Sequence, residues 1–405
     1  MNRKQFIILI GLLIVLGGAG KLLQTSHQTN ASAGEEGAGK KLMGDSFPFN
    51  DVTLIHLKQD TNEVTLVKKQ DIWKVAERKD YPANFSSISD FLLKLKDIKV
   101  VQKEEIGASQ LGRLQLAPQG QGTNSGLVAE FKAADEKVLA TLTLGKKHFA
   151  KPTAQQKQFG MGDEGFPDGR YVMAGKDTSS ALLIPDALAS AEPKPESWLS
   201  KDFFKVERAR EISVSYPVSS NSWTIVRDTE SGNWKLQDAK GDEKLDDARA
   251  SGVATPFASV SFDDVLTGDT DATALGMSNP TVVNVKTFDD FVYKVQVGIK
   301  LPQGYPLTLS VSSEFPAQRV PAKDEKPEDK TKADKAWADR RKQLESNLAD
   351  ARKFENWTYL VPSWSLDALL KERKDLLVEK KAESKPGETP ADGTGPDTPE
   401  LGSPK

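Results

Sequence analysis

One stretch is used twice. Residues 64–101 open with VTLVKKQDIWKV, and a degraded copy, WTIVRDTESGNWKL, begins at Trp223. In the first copy Val64 and Leu66, then Ile72 and Val75, alternate around a polar turn at residues 68–71, which predicts two short strands with Trp73 as their large apolar residue. A helix should follow, because Phe85, Ile88, Phe91, Leu92, Leu95 and Ile98 recur at helical spacing and Ser87 with Asp90 has the spacing of a capping box. A strand pair plus an amphipathic helix, given twice, sets the expected fold: α+β, with two related β-rich repeats, each a mainly antiparallel sheet with a packed helix.

The rest of the chain keeps the same order in both halves. Val52, Leu54, Ile55 and Leu57 predict a first strand, answered by Ile212, Val214 and Tyr216. The turn Leu111-Gly112-Arg113-Leu114 is matched with Ala274-Leu275-Gly276-Met277. Strands at 127–131 and 138–144 answer to 281–287 and 291–298, and closing strands at 170–173 and 181–184 answer to 357–361. Pro256 lies inside the second presumed helix, where an interior proline costs about 3 kcal/mol, so that helix should be short or broken before Phe257.

This gives a division into a segment at 1–23, a flexible tether at 24–47, a first repeat at 48–192, a packed connector at 193–206 and a second repeat at 207–380. A disordered tail at 381–405 completes it. The connector carries Trp198, Leu199, Phe203 and Phe204, too apolar for a free linker. The second repeat holds an insertion at 321–355, a charged linker leading into a helix with Ala333, Trp337, Leu344, Leu348 and Ala351 along one stripe. That insertion should project from the repeat. Trp337, Arg340, Arg341, Leu344 and Leu348 are its candidate partner-contact residues, weighed against an anchoring role for Trp337.

Composition narrows the function classes. The 405 residues are 38% hydrophobic and 28% charged with a net charge of -3, so no concentrated basic face is offered to nucleic acid. The chain has no Cys, which removes disulfides, thiolate metal sites and cysteine nucleophiles. Phe6 to Leu23 is almost wholly apolar after Arg3 and Lys4, which predicts a single-pass signal anchor with the bulk of the chain outside the cytoplasm. A cleaved signal peptide is the rival, with small-residue sites at Gly17-Gly18-Ala19 and Ala31-Ser32-Ala33.

The chain resembles a bacterial family, the domain of unknown function numbered 4340. The resemblance rests on MNRKQFIILIGLLIVLGG, VTLVKKQDIWKV, YPANFSSISDFLLKLKDIKVVQ, the turn at Leu111, VLATLTLGKKH and WLSKDFF, and covers most of residues 1–214. It implies a single-pass protein of the bacterial inner membrane with a periplasmic bulk, associated with auxiliary components of ABC-type exporters or gliding-type complexes. It brings no catalytic residues.

Motifs for chemistry are weak. Residues 159–165 contain a literal G-x-G-x-x-G, but polar sequence precedes it and no helix pattern follows, so a loop is the better reading. Asp263, Asp264, Asp269 and Asp271 form an acidic run without the spacing of a calcium loop, which reads as solvated surface or as a cation site. His27, His56 and His148 share no helix face, and no G-x-S-x-G elbow exists. The expectation is therefore a membrane-tethered accessory or interaction protein without cofactor or metal, whose partners are the membrane and membrane transporter subunits and not nucleic acid. The alternative is a periplasmic ligand-binding module or a hydrolase of unknown substrate.

Overall fold

The computed structural model describes residues 38–150, 165–175, 177–268, 271–316, 318–321 and 325–379. The apolar run before Leu23, most of the G-x-G-x-x-G loop and the tail fall outside them. Among the described residues no helix is long and apolar enough to cross a membrane.

Two antiparallel sheets carry the fold. The first contains β1 (Leu54–Gln59), β2 (Asn62–Lys69), β3 (Ile72–Val75), β4 (Tyr81–Pro82), β5 (Gln102–Glu105), β6 (Leu127–Lys132), β7 (Val138–Phe149), β8 (Pro167–Ala174) and β9 (Ser180–Ile184), in the order β4-β3-β2-β1-β6-β7-β8-β9-β5. The second contains β10 (Ala209–Ser215), β11 (Trp223–Val226), β12 (Lys235–Leu236), β13 (Asp264–Leu266), β14 (Thr281–Thr287), β15 (Phe291–Val297), β16 (Tyr305–Ser313) and β17 (Thr358–Val361), in the order β12-β11-β10-β14-β15-β16-β17-β13. Apart from the short edge strand β4, the second order is the first repeated. Alternation explains the strands: Ile55, Leu57, Val64 and Leu66 are fully buried and their neighbours are not.

Register makes the repeat residue-specific. Val67 pairs with Lys74 and Lys68 with Trp73; in the second sheet Val226 pairs with Lys235, which puts Trp234 in the place of Trp73. The turn before β6 corrects the expected match by two residues. Gln115 and Gly276 both have left-handed backbones (φ 53° and 68°), and each starts the same bond pair: Gln115 N to Gly112 O with Leu116 N to Leu111 O, and Gly276 N to Thr273 O with Met277 N to Ala272 O. Leu114-Gln115-Leu116 therefore corresponds to Leu275-Gly276-Met277. The glycines that follow, Gly145 and Gly298, lie so close to the Leu114 and Leu275 carbonyls that a Cβ would collide with them.

Helix α1 (Phe85–Asp97) crosses the first sheet and buries Ile88, Phe91 and Leu95. Its N-cap is Asn84, whose side chain accepts from Ser87 N at 3.1 Å, so the expected capping box at Ser87 is replaced by a cap three residues earlier. Phe85, at the first position, is 66% exposed and does not join the apolar face. Helix α2 (Asp247–Ala254), capped by Asp246, is its shorter counterpart and ends before Pro256.

Part of the expected tether, from residue 38 on, is packed against the first repeat. Gly39 N and Leu42 N bond to Val100 O and Ile98 O, Leu42 is buried, and Phe47 meets the Phe131 ring edge-on at 6.2 Å. The connector runs from one repeat into the other. Leu199 bridges to Ala83 and Trp198 packs on Phe91, whereas Phe204 packs on Phe257 and Tyr293. A second copy of the first part of this connector follows the second repeat, where Leu377 bridges to Leu245 and Asp246 N bonds to Leu376 O as Asn84 N bonds to Trp198 O. One large hydrophobic core extends through both sheets, with a smaller separate cluster around Leu111, Leu114 and Leu116 in the first repeat.

Candidate functional site

The longest element without a counterpart in the other repeat is α3 (Pro327–Arg352), which interrupts the β16–β17 hairpin; residues 175–179 alone make the matching connection between β8 and β9. The helix has Pro327 at N1, Glu328 and Asp329 in the first turn and Arg352 in the last, an arrangement that suits its dipole. None of its residues is fully buried.

It does not project freely. Leu344, Leu348 and Ala351 pack as half-buried side chains against the core, and Phe354 follows them just beyond the helix. Arg352 Nε donates to Val311 O at 3.1 Å, and Glu355 Oε1 accepts from Val311 N at 2.6 Å, so the end of the helix is bonded to β16. Arg340 reaches Asp289 at 3.0 Å, and Arg319 joins Glu325 and Asp334 near the other end.

The sequence-derived contact residues separate into two groups. Leu344 and Leu348 face the core. Trp337, Arg340 and Arg341 line a cleft of about 230 Å³ with Phe315, Pro316 and Leu344, in which the Arg341 guanidinium lies 5.4 Å from the centre of the Trp337 ring. On the other side of the helix, a groove of about 520 Å³ opens between α3 and the connector. Its apolar lining is Phe203, Phe204, Phe291, Tyr293, Ala351 and Phe354, and its polar lining includes Asp202, Lys205, Glu207 and Asp289.

Phe203, Phe204 and Ala351 were singled out in the sequence as packing residues, but the groove they line was not. Phe291 and Tyr293 lie in an alternating strand, where inward-facing aromatics read as core, and nothing local shows that the connector leaves space above them. Tyr293 is 8% exposed, and its hydroxyl has no hydrogen-bond partner among the described residues. Burial pushes the ionisation of this phenol to higher pH, and the carboxylates of Glu207 and Asp289 push it further.

The other sequence candidates are brought into structural roles. Asp264 is held by Arg78, whose Nε and Nη2 donate to its two oxygens at 2.7 and 2.9 Å across the junction of the repeats. Asp263 offers its backbone carbonyl to Lys201, and Asp271 accepts from Thr273 N at 2.9 Å. Among the described residues, no group of three potential metal ligands converges. His56 lies 3.4 Å from Glu63 on adjacent strands, and His148 Nδ1 is 2.7 Å from Asp168 on the exposed end of β7. The buried Arg170 guanidinium donates to the carbonyls of Gly145, Ala187 and Leu188, and desolvation lowers it to about 10.

Comparison with known proteins found no match among curated proteins or solved structures. The family model described as "Domain of unknown function (DUF4340)" matches residues 73–280, from Trp73 through the rest of the first repeat and the connector to Pro280, just before β14. That match spans more than half of the chain, and the chain belongs to this family of domains of unknown function.

Proposed function

We propose that this is a membrane-tethered extracytoplasmic accessory protein, which holds a subunit of a membrane transport complex against the α3 side of its second repeat. The observation that carries the reading is α3 itself. A helix of 26 residues with no fully buried side chain interrupts a hairpin that its sister repeat closes directly, and it leaves an aromatic-lined opening on either side. Ordinary core-facing helices bury an apolar stripe; this one uses part of its stripe to stay attached and presents the remainder at a cleft edge. The apolar run ending at Leu23 supports the tether, and the family resemblance supports an ABC-type export or gliding-type complex as the setting.

The test replaces residues 326–352 with a short Gly/Ser loop in the full chain. Loss of Leu344 and Leu348 packing should cost about 2 to 3 kcal/mol, because each half-buried leucine is worth roughly half of a fully buried one. The variant should fractionate with membranes as the parent does, yet cease to co-purify membrane subunits after solubilisation. Unchanged co-purification by the folded variant would remove α3 as the holding element.

A further inference from the structure

The groove between α3 and the connector has a chemistry of its own. Its apolar wall is aromatic: Phe204 and Tyr293 lie nearly parallel, 6.3 Å apart and 24° between planes, and Phe291 meets Tyr293 edge-on at 6.4 Å. Ring faces at the wall of a partly desolvated groove favour cations over anions, because the quadrupole presents negative charge.

The charges at the rim decide the sign further. Asp289 is already neutralised by Arg208 and Arg340, at 2.6 and 3.0 Å. Asp350 is paired with Lys353 at 2.6 Å. The remaining lining charges are Asp202, Glu207 and Lys205, so carboxylates outnumber the free cation. Asp202 takes a weak 3.4 Å contact from the Ser200 hydroxyl, and Glu207 is left facing Tyr293. Tyr293 lines the groove, and its hydroxyl has no hydrogen-bond partner among the described residues, so an N–H entering the groove can reach it.

We infer that this groove receives an arginine or lysine side chain carried on an otherwise apolar segment of the partner polypeptide. Asp202 and Glu207 would take its charged head, the Tyr293 hydroxyl would accept a further N–H, and Phe204, Phe291 and Phe354 would cover the aliphatic stem. At about 520 Å³ the opening falls in the range of pockets that enclose whole ligands, so flanking apolar side chains fit beside the cation. The inference rests on the partner-holding reading and adds the identity of the group that is held.

The experiment uses the full chain in detergent and two fluorescent peptides, acetyl-Leu-Leu-Arg-Leu-amide and the same peptide with citrulline for arginine. Citrulline keeps the shape and removes the charge. The arginine peptide should bind about 10-fold tighter or more, as expected for a charge-assisted pair. Asp202→Asn with Glu207→Gln should erase that preference, and Tyr293→Phe should reduce it several-fold without altering the melting temperature. Equal binding of the two peptides, no binding of the arginine peptide, or a preference that survives the double substitution would each overturn the assignment. If the peptides behave as expected but α3 replacement leaves co-purification intact, the accessory reading falls and the cation site stands. If the peptides fail while co-purification depends on α3, the reverse holds.

Discussion

Trp73, in β3, and Trp234, the residue just before β12, hold matching places in different surroundings. Trp73 is 6% exposed within the continuous core, whereas Trp234 is half-buried and has the Arg227 guanidinium 4.7 Å from the centre of its ring. Trp73→Ala should therefore cost about 3 to 5 kcal/mol, the usual loss for a large core aromatic. Trp234→Ala should cost about 1 to 2 kcal/mol, since it loses partial burial and one exposed cation–π contact. Urea denaturation of both variants checks the ranking, and equal losses would contradict the difference in burial. The matching places were legible in the sequence because strand alternation fixes them. The burial was not, since it depends on which side chain arrives from another strand: Arg227 covers Trp234, and no neighbour covers Ile72 or Phe85 in the same way.

Elements with strong periodicity were legible and edge elements were not. The helix α1, the strands β6, β7, β14 and β15, and the early end of α2 all follow from apolar spacing or from Pro256. Strands β5 and β13 close the two sheets, yet QKEE and DVL carry no alternation that marks them, because an edge strand with one neighbour needs no apolar face. The connector copy at Arg373–Leu376 was missed because, beside the buried Leu376, much of its attachment is ionic. Arg373 donates to Asp238 at 3.0 Å and to Glu243 at 2.7 Å, and the guanidinium together with the Lys240 backbone N–H holds the Glu243 carboxyl down at about 2, from an ordinary value near 4.5. A depressed carboxylate contributes its stabilisation in full above the ordinary value and loses it as the pH falls towards the folded value. Hydrogen-exchange protection in residues 373–378, taken relative to the intrinsic rate at each pH, should accordingly fall between about pH 4.5 and 2, before the central strands open. Glu243→Gln should already be loosened at neutral pH and show a flatter response. An unchanged acid response in that variant would assign the effect to another group.

At the scale of the molecule, the two repeats are joined by more than the chain that links them. Tyr81 of the first lies edge-on to Trp357, Phe262 and Tyr359 of the second at 4.9, 5.8 and 6.1 Å, and beside this cluster Arg78 grips Asp264 with only 17% and 21% of the two side chains exposed. Such a pair need not add much net stability, because desolvation offsets attraction, but removing one partner leaves the other charge partly buried. Asp264→Ala should cost about 2 kcal/mol, with Arg78→Leu together with Asp264→Leu costing less than the single change. Since one core runs through both sheets, the parent protein should unfold in one calorimetric transition, and Asp264→Ala should lower that transition as a whole. Two separated transitions in the parent would mean that the junction does not couple the repeats. A coupled junction has a consequence for the proposed tethering: the described chain enters at Gly39 on the first repeat and the α3 grooves lie on the second, so a rigid junction would present those grooves at a fixed place relative to that entry point instead of swinging on a linker. Combining Asp264→Ala with the co-purification assay separates the two levels, because a loosened junction should weaken partner retention in membranes while leaving the arginine peptide's affinity in detergent unchanged.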